Sequence, residues 1–288
     1  MVLKKKFKQI LLAFFLCFLN IYLQGQQGVE FGAFLGASHY FGDLNTDFSV
    51  KDPGIAGGLI GRYNFNDRIA LKLTGGIGYL AGDDADSNNS FEQRRNLSFQ
   101  SRVLDFSGQF EFNFLPFVHG SKTNFFSPYL FGGFSVTQFN PQTKVCDSNH
   151  AIAPEQCNST TSLIDLRPLG TEGQFKGEEY YTVTGGLAFG AGLKFSLNYE
   201  WSLNIELSGR RLFTDYLDDV SGTYPDVDDL QNLRGDLAVT LSDRSDPVIG
   251  AKGRQRGNSK TKDAFGLLTV GVVYYFGDLK CPRPSAGR

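Results

Sequence analysis

Apolar and polar residues alternate along most of this chain. Between Tyr181 and Phe195 one set of positions holds Tyr181, Val183, Leu187, Phe189, Leu193 and Phe195. The other holds Thr182, Thr184, Gly186, Ala188, Gly190, Gly192 and Lys194. After Asn198 and Tyr199 the pattern restarts, with Trp201, Leu203, Ile205 and Leu207 set against Ser202, Asn204, Glu206, Ser208 and Arg210. A period of two marks a strand with chemically different faces. The alternation recurs over Val29–Ala37, Ile55–Phe65, Ile69–Tyr79, Leu104–Phe114 and Leu268–Phe276, and less clearly over Pro128–Phe139. About eight strands are therefore expected.

Most of these strands come near the ~9–11 residues that a tilted strand needs to cross a bilayer. Their connections alternate in length. Short ones fall at Asn66-Asp67, Leu115–Asn124 and Asn198–Glu200, and long polar ones at Gly42–Lys51, Ala81–Asn96, Asn140–Tyr180 and Thr214–Asp263. This rhythm predicts an all-β fold: an eight-stranded antiparallel transmembrane up-and-down β-barrel with short periplasmic turns and long extracellular loops. In such a barrel the bulky apolar set meets lipid and the small or charged set fills a narrow interior. Glu30, Arg62, Lys72, Glu111, Glu206 and Arg210 are then candidates for pairing inside it. Tyr63, Tyr79, Trp201, Tyr274 and Tyr275 lie near strand ends, where aromatic girdles form. A water-soluble barrel or sandwich would alternate as well, with its apolar set inward. Strand length and loop asymmetry favour the membrane, as does the N-terminus.

Lys4, Lys5, Lys6 and Lys8 precede an apolar run from Ile10 to Leu23, and Gly25 offers a small residue for cleavage. Residues 1–25 thus read as an export signal, 26–276 as an outer-membrane barrel and 277–288 as a periplasmic tail. Composition agrees with strands and turns: 27 Phe, 12 Tyr and 34 Gly against one Met. A formal charge of −2 gives no case for nucleic acid. Beyond the signal, Cys146 and Cys157 share one loop and are placed to pair in an oxidising compartment. Cys281 is left over, either free or joined to a partner.

Candidate chemistry is sparse. His39, His119 and His150 are the only histidines, and no spacing ties one to a serine and an acid. They read as polar strand-end and loop residues. Asp84, Asp86 and Asn88 occupy alternating positions of a calcium loop, but Asn89 and Arg95 stand where Gly and Glu are required. Acidic Asp215, Asp218, Asp219, Asp226, Asp228 and Asp229 precede basic Lys252, Arg254, Arg256, Lys260 and Lys262 in the last loop. That loop reads as hydrated, or as folded against a partner, its basic half suited to lipid phosphates or to its own acids. No catalytic residue, cofactor or metal is expected.

Several segments carry a family resemblance: "GDLN" at 42–45, "GRYNF" at 61–65, "NLSFQSRVLDFSGQFEFNF" at 96–114, "SPYLFGG" at 127–133, "LRPLGTEGQ" at 166–174 and "RRLFTDYLDDVSGTYPD" at 210–226. Together the chain resembles the PorG-type outer-membrane barrels of the Bacteroidetes. The signature loops are Gly170, Thr171, Glu172, Gly173 and Gln174, with Asp215, Tyr216, Asp218 and Asp219. The resemblance implies a non-enzymatic subunit of the type IX secretion and gliding machinery, set among outer-membrane lipids and contacting the periplasmic ring of the lipoprotein PorK and its partner PorN. On the periplasmic side the turn Leu115–Asn124 and the tail, with Lys280, Cys281 and Arg283, are the surfaces expected to reach that ring. The competing readings are a general structural or adhesive small barrel and a lipid-modifying enzyme.

Overall fold

In a computed structural model, the structure describes residues 27–46, 51, 53–146 and 161–277. Expectations for the export signal, for Cys157 and for Lys280, Cys281 and Arg283 lie outside the described residues. The eight expected strands are present: β1 (Gly28–Phe41), β2 (Gly54–Asn64), β3 (Ile69–Asp83), β4 (Ser98–Asn113), β5 (Phe126–Gln138), β8 (Val183–Ser196), β9 (Trp201–Leu212) and β10 (Ala264–Phe276). Two more, β6 (Pro141–Cys146) and β7 (Thr161–Asp165), form a hairpin in what reads as a polar loop.

Each of the eight pairs antiparallel with its neighbour, and the ring is closed by β3 with β4 and by β1 with β10. The seam places Val29 opposite Phe276 and Phe41 opposite Ala264. No edge remains in the ring, the condition for a sheet in hydrocarbon, where water cannot serve unpaired N–H and C=O groups.

The phase of the alternation settles which face is outside. Leu187, Phe189 and Ile205 are 41%, 52% and 37% exposed, and Leu35, Phe106, Phe110, Phe134 and Leu207 stand out further still. So many bulky side chains facing outward around a closed ring form an apolar belt far larger than a soluble monomer presents. This is a transmembrane barrel. Tyr63, Tyr79 and Trp201 are outward as expected. Tyr275 is not: it points inward, stacked 4.4 Å from the His119 ring, because its parity in β10 is that of the lumen set.

The barrel ends differ. Phe65–Arg68 and Leu197–Glu200 are tight turns. The turn after β4 folds back into the barrel mouth and buries Phe117 and His119. Its bend needs Gly120, at φ +71°, because a Cβ there would run into the Tyr199 ring. At the other end the described parts of the long loops are structured. They carry α1 (Ser90–Arg95), α2 (Val227–Arg234) and α3 (Asp236–Ser242), with Asn89 capping α1 and Asp226 capping α2 through their side chains. Here, not at mid-barrel, sits the apolar core: Tyr40, Phe99 and Phe265 from the strand tops meet Leu217, Val220 and Leu241 from the last loop.

Cys146 is disulfide-bonded. The expected pairing with Cys157 lies outside the described residues.

The outward belt makes a sharp prediction. Phe189→Arg near the middle of β8 should cost about 2–4 kcal/mol of barrel stability in bilayers, measured by denaturant titration of protein refolded into liposomes. Val248→Arg, in a water-facing loop, should leave the midpoint unchanged.

Candidate functional site

Two polar assemblies stand out: one inside the lumen, the other roofing it. In the lumen Arg62 on β2 and Lys72 on β3 are direct cross-strand neighbours. Like charges so placed repel, and carboxylates set among them remove the conflict. Arg62 pairs through Nη1 with Glu30, and its Nε lies 3.2 Å from Glu111 Oε2. Lys72 Nζ is 2.8 Å from Glu206 Oε2, across the barrel on β9. Lys194 pairs with Glu111, and Tyr129 donates to Glu206 Oε1 at 2.6 Å. Higher up, Arg210 Nε lies 2.9 Å from Asp105 Oδ2. Four carboxylates (Glu30, Asp105, Glu111, Glu206) thus meet four cations (Arg62, Lys72, Lys194, Arg210).

Glu30, Arg62, Lys72, Glu111 and Lys194 have fully buried side chains. These side chains have no surface open to solvent. Charges in such a place are tolerable only when paired and hydrogen-bonded. The six expected lumen residues are all here; Lys194 and Asp105 complete the set. His119 lies in the turn where it is expected, but it is not solvent-facing. It is buried at the barrel base, with Nε2 3.0 Å from Glu30 Oε1 and its ring against Tyr275.

The roof is built from the two signature loops. Thr171 Oγ1 donates to Asp219 Oδ2 at 2.5 Å, and Tyr180 OH donates to Asp219 Oδ1 at 2.6 Å. Glu172 accepts the backbone N–H of Ser221 at 2.9 Å and that of Gly222 at 3.0 Å. Ser221 Oγ donates to Asp215 Oδ2 at 2.8 Å. Gly170 turns at φ +55°, and its loop is tied to α2 by Arg234, which donates to the carbonyl of Gln174 at 3.1 Å. Gly173 sits over Pro225, and the Tyr216 ring stacks on Tyr180.

Two buried arginines fasten the roof. Arg256 donates to Glu172 Oε1 at 3.1 Å and to the Asp219 carbonyl at 2.6 Å. Arg95 grips Asp84 with two bonds of 2.6 and 2.7 Å, and also donates to the carbonyls of Asp43 and Arg256. Asp84 is therefore an arginine partner and not the first ligand of a calcium loop. The basic half of the last loop does meet its own acids: Lys252 lies 3.0 Å from Asp226. Among the described residues no group of three acids, histidines or cysteines has metal-binding geometry. A hollow of about 500 Å³ lies at the loop end, lined by Asn45, Thr46, Asp83, Gln100 and Lys144 and away from the mid-lumen charges.

Beneath the roof, Tyr40 OH donates to Asp218 Oδ2 at 2.5 Å and lies 3.2 Å from Asp263 Oδ1. Asp218 and Asp263 accept the backbone N–H groups of Val220 and Leu217. Burial and the nearby carboxylates raise Asp218 and Asp263 well above the usual range. Burial raises Asp43 to about 6, and raises Asp219 to about 6 against the pull of Arg256.

A sequence profile for the domain of unknown function DUF6089 matches residues 8–161, more than half of the chain, so the chain belongs to that family. A search of curated proteins finds no match. Among solved structures the chain is similar to Neisserial surface protein A (11% identity, TM-score 0.41, covering 88% of this chain and 100% of that one). It is also similar to the outer membrane protein OprG of Pseudomonas aeruginosa (13%, 0.39, 89% and 100%). A third is a major outer membrane protein of Thermus thermophilus (12%, 0.39, 86% and 99%).

Two outcomes are expected. Glu206→Ala should strand Lys72 and cost about 3–5 kcal/mol, whereas Lys72→Met with Glu206→Leu should regain most of that loss; denaturant midpoints in liposomes report both. The carboxylates with raised folded values stabilise the roof most below about pH 4, the range of unfolded aspartate. That contribution fades as pH rises through about 6 for Asp43 and Asp219, and the raised Asp218 and Asp263 act with the same sign. Amide exchange at Leu217 and Val220, corrected for its intrinsic pH dependence, should therefore quicken as pH rises through about 6.

Proposed function

We propose that this barrel resides in the outer membrane as a non-enzymatic anchor subunit of a type IX secretion system, its short turns toward the periplasm and its roof outside. One observation carries the anchor reading: the lumen holds an ion network in which Glu30, Arg62, Lys72, Glu111 and Lys194 are fully buried, which argues against a conduit. The type IX assignment draws on the PorG-type resemblance of the signature loops, whose residues are used here to fold the roof.

In this orientation the ring of PorK and PorN would be met by the outer side of the turn around Lys122, by Asn198–Glu200 and by the tail 277–288. Phe117 and His119, turned into the barrel base, are withdrawn from that surface. Cys281 and its neighbours Lys280 and Arg283 would supply the tail contact. The second reading is a structural or adhesive barrel, which exposed Phe175 and Val248 on the roof favour.

Deletion of the gene separates the two. The anchor reading expects many unrelated cargo proteins to stop being secreted, and PorK and PorN to copurify with the tagged barrel from membranes. Intact secretion with altered adhesion, and no copurifying ring protein, would sink it in favour of the second.

A further inference from the structure

The barrel ring has no edge, but the hairpin above it does. β6 follows β5 after only Phe139 and Asn140, and pairs with the top of β4 at Gln100 and Ser101. Among the described residues β7 pairs with β6 alone and ends the sheet order. The register fixes which backbone groups face outward. Leu166 donates its N–H to the Pro141 carbonyl at 3.0 Å. Hydrogen-bonded pairs alternate along an antiparallel ladder, so the next are Thr143 with Ile164 and Val145 with Ser162. The N–H and C=O groups of Thr161, Leu163 and Asp165 then point away from β6. Their side chains are exposed too, while Ile164 packs on the roof core. Exposed strand edges of this kind are templates for another strand.

We propose that β7 is a docking edge for an extended segment of a partner polypeptide, added as one further strand outside the membrane. Main-chain complementarity defines the occupant, since only an extended backbone offers donors and acceptors at the spacing of this edge. Side chains add preference. Leu163 favours an apolar neighbour. Asp165 accepts only neutral amide donors, from Asn140 at 2.9 Å and from Gln142 at 2.7 Å, and has no ion pair among the described residues. A basic residue in the partner would complete it. A second copy does not fit. The twofold axis relating two antiparallel β7 edges is perpendicular to the sheet and reverses the strand direction. Because the hairpin continues the barrel wall, that operation would invert one barrel relative to the other, which a shared membrane forbids.

The test is a photo-crosslinking amino acid at position 161 of the full chain in its native membrane, combined with variants at Leu163. Leu163→Pro removes an N–H that β6 does not use, so the hairpin keeps its ladder while the edge is blocked. Leu163→Ala keeps the edge. The expected result is an adduct with another polypeptide that falls at least tenfold in Leu163→Pro and persists in Leu163→Ala, with unchanged heat-modifiable gel mobility. Absence of an adduct would overturn the proposal, as would one indifferent to proline. So would an adduct with residues 147–160 of the same chain, or with a second copy.

Discussion

Hydrocarbon offers no hydrogen bonds, so every backbone N–H and C=O within the membrane must find its partner inside the protein. This constraint dictates the ring of eight strands, and the ring dictates the rest. An eight-stranded ring leaves an interior only wide enough for side chains. Anything polar placed there is removed from water and must be answered by another side chain. Arg62 and Lys72, side by side on adjacent strands, are answered by Glu30, Glu111 and Glu206 from three other strands. The network therefore ties distant walls together across the lumen, where a soluble protein would place its apolar core.

That core has moved to the loop end. Tyr40, Phe99 and Phe265 reach above the charged level and meet Leu217, Val220 and Leu241. The roof resembles a small soluble domain whose floor is the barrel rim: apolar within, and laced by Arg95 and Arg256 at the joints between loops. Asp219, at φ +68°, shows how tightly the chain is drawn in. Its backbone takes a left-handed turn while its two carboxylate oxygens accept from Thr171 and Tyr180.

Much of this is legible in the sequence, for a physical reason. Alternation along a strand is local, so the strands and their phase follow from order alone, and Leu187 and Phe189 are outward as read. The lumen cations and anions are legible in the same way, because parity puts Glu30, Arg62 and Glu206 on one face. Parity also places Tyr275 inward, a signal that its position near a strand end obscures. What order alone does not carry is contact between distant loops. Nothing near His119 announces that its turn folds back toward Glu30, and nothing near Arg95 announces Asp43 and Arg256. The hairpin of β6 and β7 is hidden because strands so short hold too few repeats to separate from polar loop. The signature segments read as belonging together, but their meeting through Thr171, Glu172 and Asp219 is visible only in three dimensions.

The seam between β1 and β10 joins the first described strand to the last described one, so the cylinder cannot shut until β10 has been delivered. Until then the growing sheet carries two live borders, one on β1 and one on β9. The last loop, from Phe213 to Asp263, is delivered just before that closing strand. The lid is thus available when the cylinder seals, and a chain cut short within β10 would keep its roof material yet remain an open ribbon.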